Sequence, residues 1–355
     1  MKNVFEKSGS QHATLNDVAR DANVSVSTAA RVLRGSPYPV APELQERVRK
    51  AADKLAYVPN LLAKKLRGGE HSSIGLIVGN MMDPYFGAIA QTVSVAAHNR
   101  SLLAIVANMQ RDPQLELAMI RELWQHRVNG LVLAGGGFDQ MTYRKELVEL
   151  IQQLKRAGII VVTVAEREIP VPVFSVDNVT VGAMLAEHAL RHGHSQIGIS
   201  AGPIHSYVTQ RRLKGSLKVL ANAGIEPTVV NTEFGIEGGI NAVNALLEQS
   251  PKLTMILANA DTLGVGIIQG LAMKGLRVPD DVSIISAGAT AYAGICDPVL
   301  TTMDLGLGAC CKTAVEYVGE RLAGMTPSVP KKITPHMVSG KSVRTLSPPK
   351  RRVIR

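Results

Sequence analysis

Arg31 is the side chain whose type and position point most directly to chemistry. It stands one helical turn beyond Val26 and Ser27. A guanidinium so placed forks to O6 and N7 of guanine, and the same fork also fits a phosphate. Val26 offers only apolar contact, for example to a thymine methyl, and Ser27 and Thr28 follow it. These residues lie in the run Thr14-Leu15-Asn16-Asp17-Val18-Ala19-Arg20-Asp21-Ala22-Asn23-Val24-Ser25-Val26-Ser27-Thr28-Ala29-Ala30-Arg31-Val32-Leu33. It reads as two short helices joined by a tight turn. Thr14 with Asp17 three residues on is close to a capping box. Leu15, Val18, Ala19 and Ala22 share one helical face, and Asn23 suits the left-handed turn that ends the first helix. Ser25 caps the second, whose inward face is Thr28, Ala29, Val32 and Leu33. A helix-turn-helix lays its second helix in the major groove with that helix's first residues at base edges.

Further along, Tyr85 and Phe86 follow an apolar run at 74–78 and would edge a cleft, where aromatic faces stack on sugar rings or bases. Other chemistry-like groupings read as structure. His188, His192 and His194 have metal-like spacing, but Gly193 places them across a helix end. Gly135-Gly136-Gly137 suits either an anion cradle or a strand-end turn. Gly340-Lys341-Ser342 lacks the earlier glycine of a phosphate loop, with Pro335 in its place. No nucleophile–base pair or carboxylate dyad has catalytic spacing, so the sequence predicts no enzyme, no metal and no cofactor.

The elements that must position these residues fall into distinct zones. After the two short helices, Pro42 opens a third, with Leu44, Val48, Ala52 and Leu55 as its buried stripe. From Ser72 short apolar runs alternate with helical periodicity. Strands are predicted at 74–78, 102–107, 130–133, 159–164, 174–176, 197–201, 255–258 and 283–286. Helices between them include 85–100, 113–126, 143–157, 179–192, 210–223, 238–249 and 262–274. Such alternation means doubly wound parallel sheets, and its length predicts two similar α/β lobes with a ligand cleft beyond the strand ends. The predicted organisation is an all-α helix-turn-helix domain at 13–57, a hinge helix or linker at 58–71 and a two-lobed core at 72–345. Lobe one takes about 72–172 and 301–325, lobe two about 173–300 and 326–345, and a basic tail covers 346–355.

The charge distribution fits this plan. The 355 residues carry a net charge of +10. The excess sits before position 70 and in the tail from Lys331 to Arg355, which contains no acid. A basic module on a nearly neutral body suits a polyanion partner. The chain start lacks a signal-peptide core, and no apolar run is long enough to span a membrane. Cys296, Cys310 and Cys311 lack metal spacing, so a reduced, cytoplasmic setting is expected.

Several ordered motifs resemble the LacI/GalR family of transcriptional regulators, from about Ala13 to about Ser347. They are the run 14–33, Tyr57-Val58-Pro59-Asn60 with Ala63 and Leu66, Ile74-Gly75-Leu76-Ile77-Val78 and Pro84-Tyr85-Phe86. Asp177-Asn178, His192-Gly193-His194, Gly202-Pro203 and Arg212-Leu213-Lys214-Gly215 follow. Ala260-Asp261, the run 276–283 and Pro298-Val299-Leu300-Thr301-Thr302 complete the set. The resemblance implies a homodimer whose paired heads bind a pseudo-palindromic operator. It also implies a core similar to periplasmic sugar-binding proteins, whose small effector shifts the lobes and changes operator affinity. In that frame Arg31 is the base-reading arginine, and Val26 and Ser27 are the positions that vary with operator sequence. Leu66, with Asn60, Ala63 and Lys64 in register, is either a minor-groove wedge or a plain linker leucine. Arg212 is the cleft arginine, and Asp261 is a cleft carboxylate or, equally, a helix N-cap. Phe234 is a further cleft candidate.

Three departures imply an altered site. Ala29-Ala30 replaces the common Val-Ser before Arg31. Ala287-Gly288-Ala289 lacks an aspartate common there, and Ala165-Glu166-Arg167 departs from the usual Asp-Arg. The expected effector is a sugar, sugar acid or sugar phosphate, tilted towards an anion. The expected function is a repressor of a carbohydrate catabolic operon. The alternative is a sugar receptor or sugar-handling enzyme on the same core; the first would need export and the second a catalytic set. No leucine heptad follows the core, which speaks against a coiled-coil tetramer.

Overall fold

The structure is a computed structural model that describes residues 13–34, 38–58, 72–329 and 332–346. The chain divides into two compact units, Met1–His71 and Ser72–Arg355.

The first unit holds α1 (Leu15–Asp21), α2 (Val26–Arg34) and α3 (Pro42–Lys54). Thr14 and Asp17 form a full capping box: each residue's backbone N–H donates to the other's side chain, at 2.9 and 3.3 Å. Asn23 takes the left-handed conformation, with φ of 51°. Ser25 Oγ accepts from the Thr28 N–H at 3.1 Å, a cap worth about 1 kcal/mol. Small residues let the helices cross closely: Val18, Ala19, Ala22, Ala29, Val48, Ala51 and Ala52 form the buried core. The Arg47 guanidinium, on α3, donates to the carbonyls of Ala22 and Asn23 at 2.6 and 3.1 Å. It thereby fastens the turn that sets α2's angle, a role that periodicity does not reveal.

The second unit begins with β1 (Ser73–Val78), α4 (Pro84–His98), β2 (Leu103–Asn108), α5 (Pro113–Gln125), β3 (Gly130–Leu133), α6 (Met141–Arg156) and β4 (Ile160–Thr163). These strands form a parallel sheet in the order β2-β1-β3-β4. Then come α7 (Asn178–Arg191), β5 (Ile197–Ser200), α8 (Tyr207–Asn222), β6 (Thr228–Val230), α9 (Ile236–Gln249), β7 (Met255–Ala258), α10 (Asp261–Met273) and β8 (Ser283–Ala287). The short α11 (Ala291–Ile295), β9 (Thr301–Asp304), α12 (Leu307–Leu322) and β10 (His336–Val338) complete it. The second sheet runs β10-β9-β8-β7-β5-β6, with only β10 antiparallel.

Helices cover both faces of each sheet, so the central strands are mostly apolar, with buried serines at Ser200, Ser283 and Ser286. On the first sheet α4 and α12 pack one face and α5 and α6 the other. On the second, α7 and α8 oppose α9 and α10. α7 and α8 touch backbone to backbone: a Cβ on Gly182 would fall 1.8 Å from the Arg212 carbonyl oxygen. This approach sets the height of Arg212 above the sheet.

Two expectations are corrected. The strand predicted at 174–176 is absent; Val173 and Val176 make only isolated bridges, to Thr163 and Ile333. That stretch crosses between lobes rather than lying within a sheet. Residues 301–304, expected in lobe one, form β9 of the second sheet beside β8. The crossover comes just after it, because α12 is the element that packs on lobe one. Among the described residues no helix is long and apolar enough to cross a membrane.

Candidate functional site

On the head, the first turns of α2 present Val26, Ser27 and Arg31 to solvent, with Val26 45% exposed. Thr28 is half-buried, and its hydroxyl lies 2.8 Å from Ser25 Oγ. It serves the cap as much as the surface. Asn60, Ala63, Lys64 and Leu66 lie outside the described residues.

In the second unit, the carboxyl ends of the strands of both lobes converge on one cavity, with about 840 Å³ of non-atom space, part of it open to solvent. Each expected cleft residue lines it: Tyr85, Phe86, Arg212, Phe234 and Asp261. Sequence reasoning missed Asp83, Arg111, Asn178, Thr262 and Thr290, which line it too. Asn178 and Asp261 are the first residues of α7 and α10, and Tyr85, Val208 and Thr262 are the second residues of their helices. The cavity therefore faces helix N-termini, where backbone N–H groups and the positive dipole ends point.

Arg212 is 6% exposed. Its Nε donates to Asn178 Oδ1 at 2.9 Å and its Nη1 to the Asn259 carbonyl. Among the described residues no carboxylate comes within salt-bridge distance of it, and Nη2 has no hydrogen-bond partner. Burial lowers its pKa from the ordinary value, opposed by the nearby Tyr85, Asp261 and Glu166. Asn178 in turn donates, through its backbone N–H and Nδ2, to Glu166 at 3.1 and 3.2 Å. The other Glu166 oxygen accepts from Lys332 Nζ at 2.5 Å. A chain of alternating polarity thus runs from Lys332 to Arg212 through two residues of the lobe crossovers and helix starts. Asp177-Asn178 stood among the matched motifs, but only the fold reveals this relay.

Asp261 is 2% exposed and does not cap α10; Ala260 holds the N-cap position, with no side-chain cap bond. One Asp261 oxygen accepts from Ser286 and Thr302 hydroxyls, both at 2.6 Å. The other accepts from the Thr290 N–H at 2.7 Å and hydroxyl at 2.9 Å. Its acceptor positions are filled by protein. A Cβ on Gly288 would lie 2.8 Å from this carboxylate, so Asp261 already occupies the space there.

The rim is aromatic and cationic. Phe86 packs edge-on to Tyr85, with ring centroids 5.2 Å apart. Arg111 pairs with Asp83 at 2.8 Å and lies over both Phe86 and Phe234, 5.9 and 5.2 Å from the ring centroids. Phe86 belongs to lobe one and Phe234 to lobe two, so this guanidinium bridges the cleft. A second bridge is backbone: Phe138 pairs antiparallel with Ser206, and the Asp139 N–H donates to the His205 carbonyl at 2.8 Å. Gly135 and Gly136 are the turn beside that bridge and line the cavity wall. Val164, Val176, Leu305 and Leu307 make the rest of the wall, with Cys310, whose thiol burial pushes up to about 11.

His188, His192 and His194 contact groups within the fold. His188 and His192 stack at 4.2 Å, and burial with the charges of His192 and Arg191 takes His188 down to about 4. His194 is buried, its ring nitrogens meeting Thr254 Oγ1 and the Arg344 carbonyl, both at 3.0 Å. Among the described residues no group of three potential metal ligands gathers.

Residues 71–341 match the family of periplasmic binding proteins and sugar-binding domains of the LacI family. Residues 14–60 match the bacterial regulatory proteins of the lacI family. The chain belongs to the LacI family. It is a DNA-binding transcriptional regulator with an effector-binding core, and it is similar to other LacI-family regulators along most of its length. The transcriptional regulator DegA of Bacillus subtilis is 28% identical over 82% of this chain and 86% of its own. The repressor PurR of Photobacterium profundum is 28% identical over 94% of this chain and 100% of its own. The lac repressor dimer bound to operator and the anti-inducer ONPF superposes with a TM-score of 0.81 at 22% identity, covering 94% of this chain and 99% of that one. This last likeness shows the same LacI-family fold.

Proposed function

We infer that this LacI-family chain is a repressor that binds a pseudo-palindromic operator as a homodimer and responds to a small effector in the cleft. The observation that carries the reading is the head's second helix. It buries Ala29 while presenting Val26, Ser27 and Arg31 outward, so that apolar, hydroxyl and guanidinium groups face a groove together. Val26, Ser27, Thr28 and Arg31 serve as base-edge and phosphate contacts, and Asn60, Ala63, Lys64 and Leu66 as the hinge contacts. In the core, an exposed face of α4 and α12 offers Val95 and Ala96 flanked by Lys312 and Glu316, a self-complementary surface for a second copy. The similar lac repressor is a dimer on its operator. The sugars, sugar acids and sugar phosphates expected for a carbohydrate operon are the effector class that the family likeness suggests. The anionic members suit Arg212 best, because its charge lacks a carboxylate partner.

Footprinting on DNA selected by the purified full-length chain tests this. Two half-sites about one helical turn apart are expected, with affinity falling steeply as salt rises. A single half-site held by a monomer would overturn the dimer. Leu66→Ala should weaken operator binding far more than non-specific binding; an equal loss in both would make Leu66 a linker residue only.

A further inference from the structure

The cavity between the lobes has an unpaired guanidinium edge, while both carboxylates that line it are already occupied. A polyol presents several O–H donors that must all find acceptors when buried. The carboxylates that line this cavity are Asp83 and Asp261. Asp261 is filled by hydrogen bonds from Ser286, Thr290 and Thr302. Asp83 accepts from the Tyr85 N–H at 3.0 Å and from Arg111 at 2.8 Å. Of the hydroxyls, Thr290 donates to Asp261, Ser175 donates to the Val176 carbonyl and Ser206 accepts from the Thr209 N–H at 3.4 Å, which leaves Ser206 and the Tyr85 phenol as neutral acceptors of the lining. What remains unsatisfied is of the other kind. Arg212 donates through Nε and Nη1 and makes no hydrogen bond through Nη2, and Thr262 Oγ1, in a residue 5% exposed, is a buried hydroxyl without a partner, free to donate. Both residues line the cavity, and Thr262 sits in the first turn of α10, whose N–H groups point the same way. The opposite walls are aliphatic and aromatic.

We propose that the effector is a monocarboxylate with an apolar body, its carboxylate held by Arg212 Nη2 and Thr262 Oγ1 and its body against Phe86, Phe234 and the aliphatic wall. An ionised carboxylate only accepts hydrogen bonds, which is what unused donors require. Its single charge matches Arg212, which among the described residues lining the cavity is the guanidinium with no carboxylate within salt-bridge distance. Arg111 is already neutralised by Asp83, so a doubly charged phosphate would find no second free cation here. An apolar body leaves no hydroxyl stranded on the wall, whereas each unmatched hydroxyl of a sugar acid would cost binding. The proposal rests on the cleft being the effector site of the repressor described above, and it departs from the polyhydroxylated effectors named there because both lining carboxylates are occupied.

The test uses the full-length chain and matched probes. Hexanoate, benzoate and phenylacetate are compared with 1-hexanol, benzyl alcohol, glucose, gluconate and inorganic phosphate, by thermal shift and titration calorimetry. The apolar carboxylates are expected to bind, and the alcohols, glucose, gluconate and phosphate to bind at least about tenfold more weakly. Arg212→Met should abolish carboxylate binding. Thr262→Val, which keeps the shape and is the safer variant for folding, should weaken it about tenfold. The proposal is overturned if gluconate, glucose or phosphate binds as well as hexanoate, if none of the carboxylates binds, or if Thr262→Val binds them unchanged. Operator binding measured on the same preparation separates the two claims. Intact operator binding without any carboxylate response sinks the ligand class alone. Carboxylate binding with no effect on operator affinity sinks the cleft as the control site.

Discussion

Arg167 in lobe one and Arg212 in lobe two are buried to a similar degree, 8% and 6% exposed, yet only Arg167 has a carboxylate against it. Its Nη1 meets Glu116 at 2.7 Å, its Nε donates to the Gly135 carbonyl at 2.7 Å, and Tyr143 donates its hydroxyl to the same glutamate. Both side chains of that ion pair are almost fully out of water, 2% and 0% exposed. Arg212 is held by neutral oxygens alone. The first arrangement has its charge cancelled inside the lobe by Glu116, although Arg167 Nη2 is itself buried without a hydrogen-bond partner. The second is left open on the cavity side, and that difference separates a buried charge serving the fold from one available to a ligand.

The largest predicted effect comes from breaking the closed pair. Glu116→Gln keeps the shape but leaves Arg167 buried without a counter-charge, at an expected cost of about 3–5 kcal/mol in chemical denaturation. The double variant Glu116→Met, Arg167→Met should recover most of that loss, because paired apolar replacements leave no charge stranded. Arg212→Met strands only two neutral acceptors and should cost about 1–3 kcal/mol. If Arg212→Met proved more damaging than Glu116→Gln, Arg212 would be the structural member and the contrast would be reversed.

Much of this was legible in the sequence, for reasons that differ by residue. The parallel strands read clearly because burial on both faces makes them continuous apolar runs, as in Ile74 to Val78. β9 did not: it lies between β8 and the edge strand β10, yet it is Thr301-Thr302-Met303-Asp304, a polar run that is buried because Thr302 bonds Asp261 and Ser342 bonds the Thr301 N–H. The cleft residues known by motif all reached the cavity. Arg111 did not stand out, since it sits in a loop at φ of 57° and gains its meaning only when Phe86 and Phe234 arrive from different lobes. The environment of Asp261 was equally hidden. A carboxylate at a helix start reads as a ligand or a cap, and its saturation depends on three residues 25 to 41 positions away.

That saturation gives the second prediction, which sharpens the contrast between filled and open groups. Asp261→Asn retains one oxygen for Ser286 and Thr302 but turns the other into a donor facing the Thr290 N–H. The loss of charge-assisted bonds should cost about 1.5–3 kcal/mol of stability. Affinity for a cleft ligand should change by less than about tenfold, against complete loss for Arg212→Met. Calorimetry on the folded variant decides it; loss of binding equal to that of Arg212→Met would make Asp261 a ligand contact after all.

The smallest effect tests an intermediate case. Glu166 is a buried acid, its side chain 9% exposed, held on one side by Asn178 and on the other by Lys332. The lysine is 46% exposed and also reaches Asp177 at 3.5 Å, so water and salt screen it. Lys332→Gln should therefore cost only about 0.5–1 kcal/mol at low salt. The difference from the parent chain should shrink as ionic strength rises to about 1 M, where the screening length is about 3 Å. The Asn178 bonds are undisturbed by the change, and they are the ones that connect Glu166 to Arg212. Ligand affinity should then follow Asn178 rather than Lys332, with Asn178→Ala weakening it and Lys332→Gln leaving it within error. A salt-independent loss larger than about 2 kcal/mol for Lys332→Gln would mean that Glu166 is compensated like Glu116, by its cation. The charge facing the cavity would then be governed from the lobe crossover rather than from within lobe two.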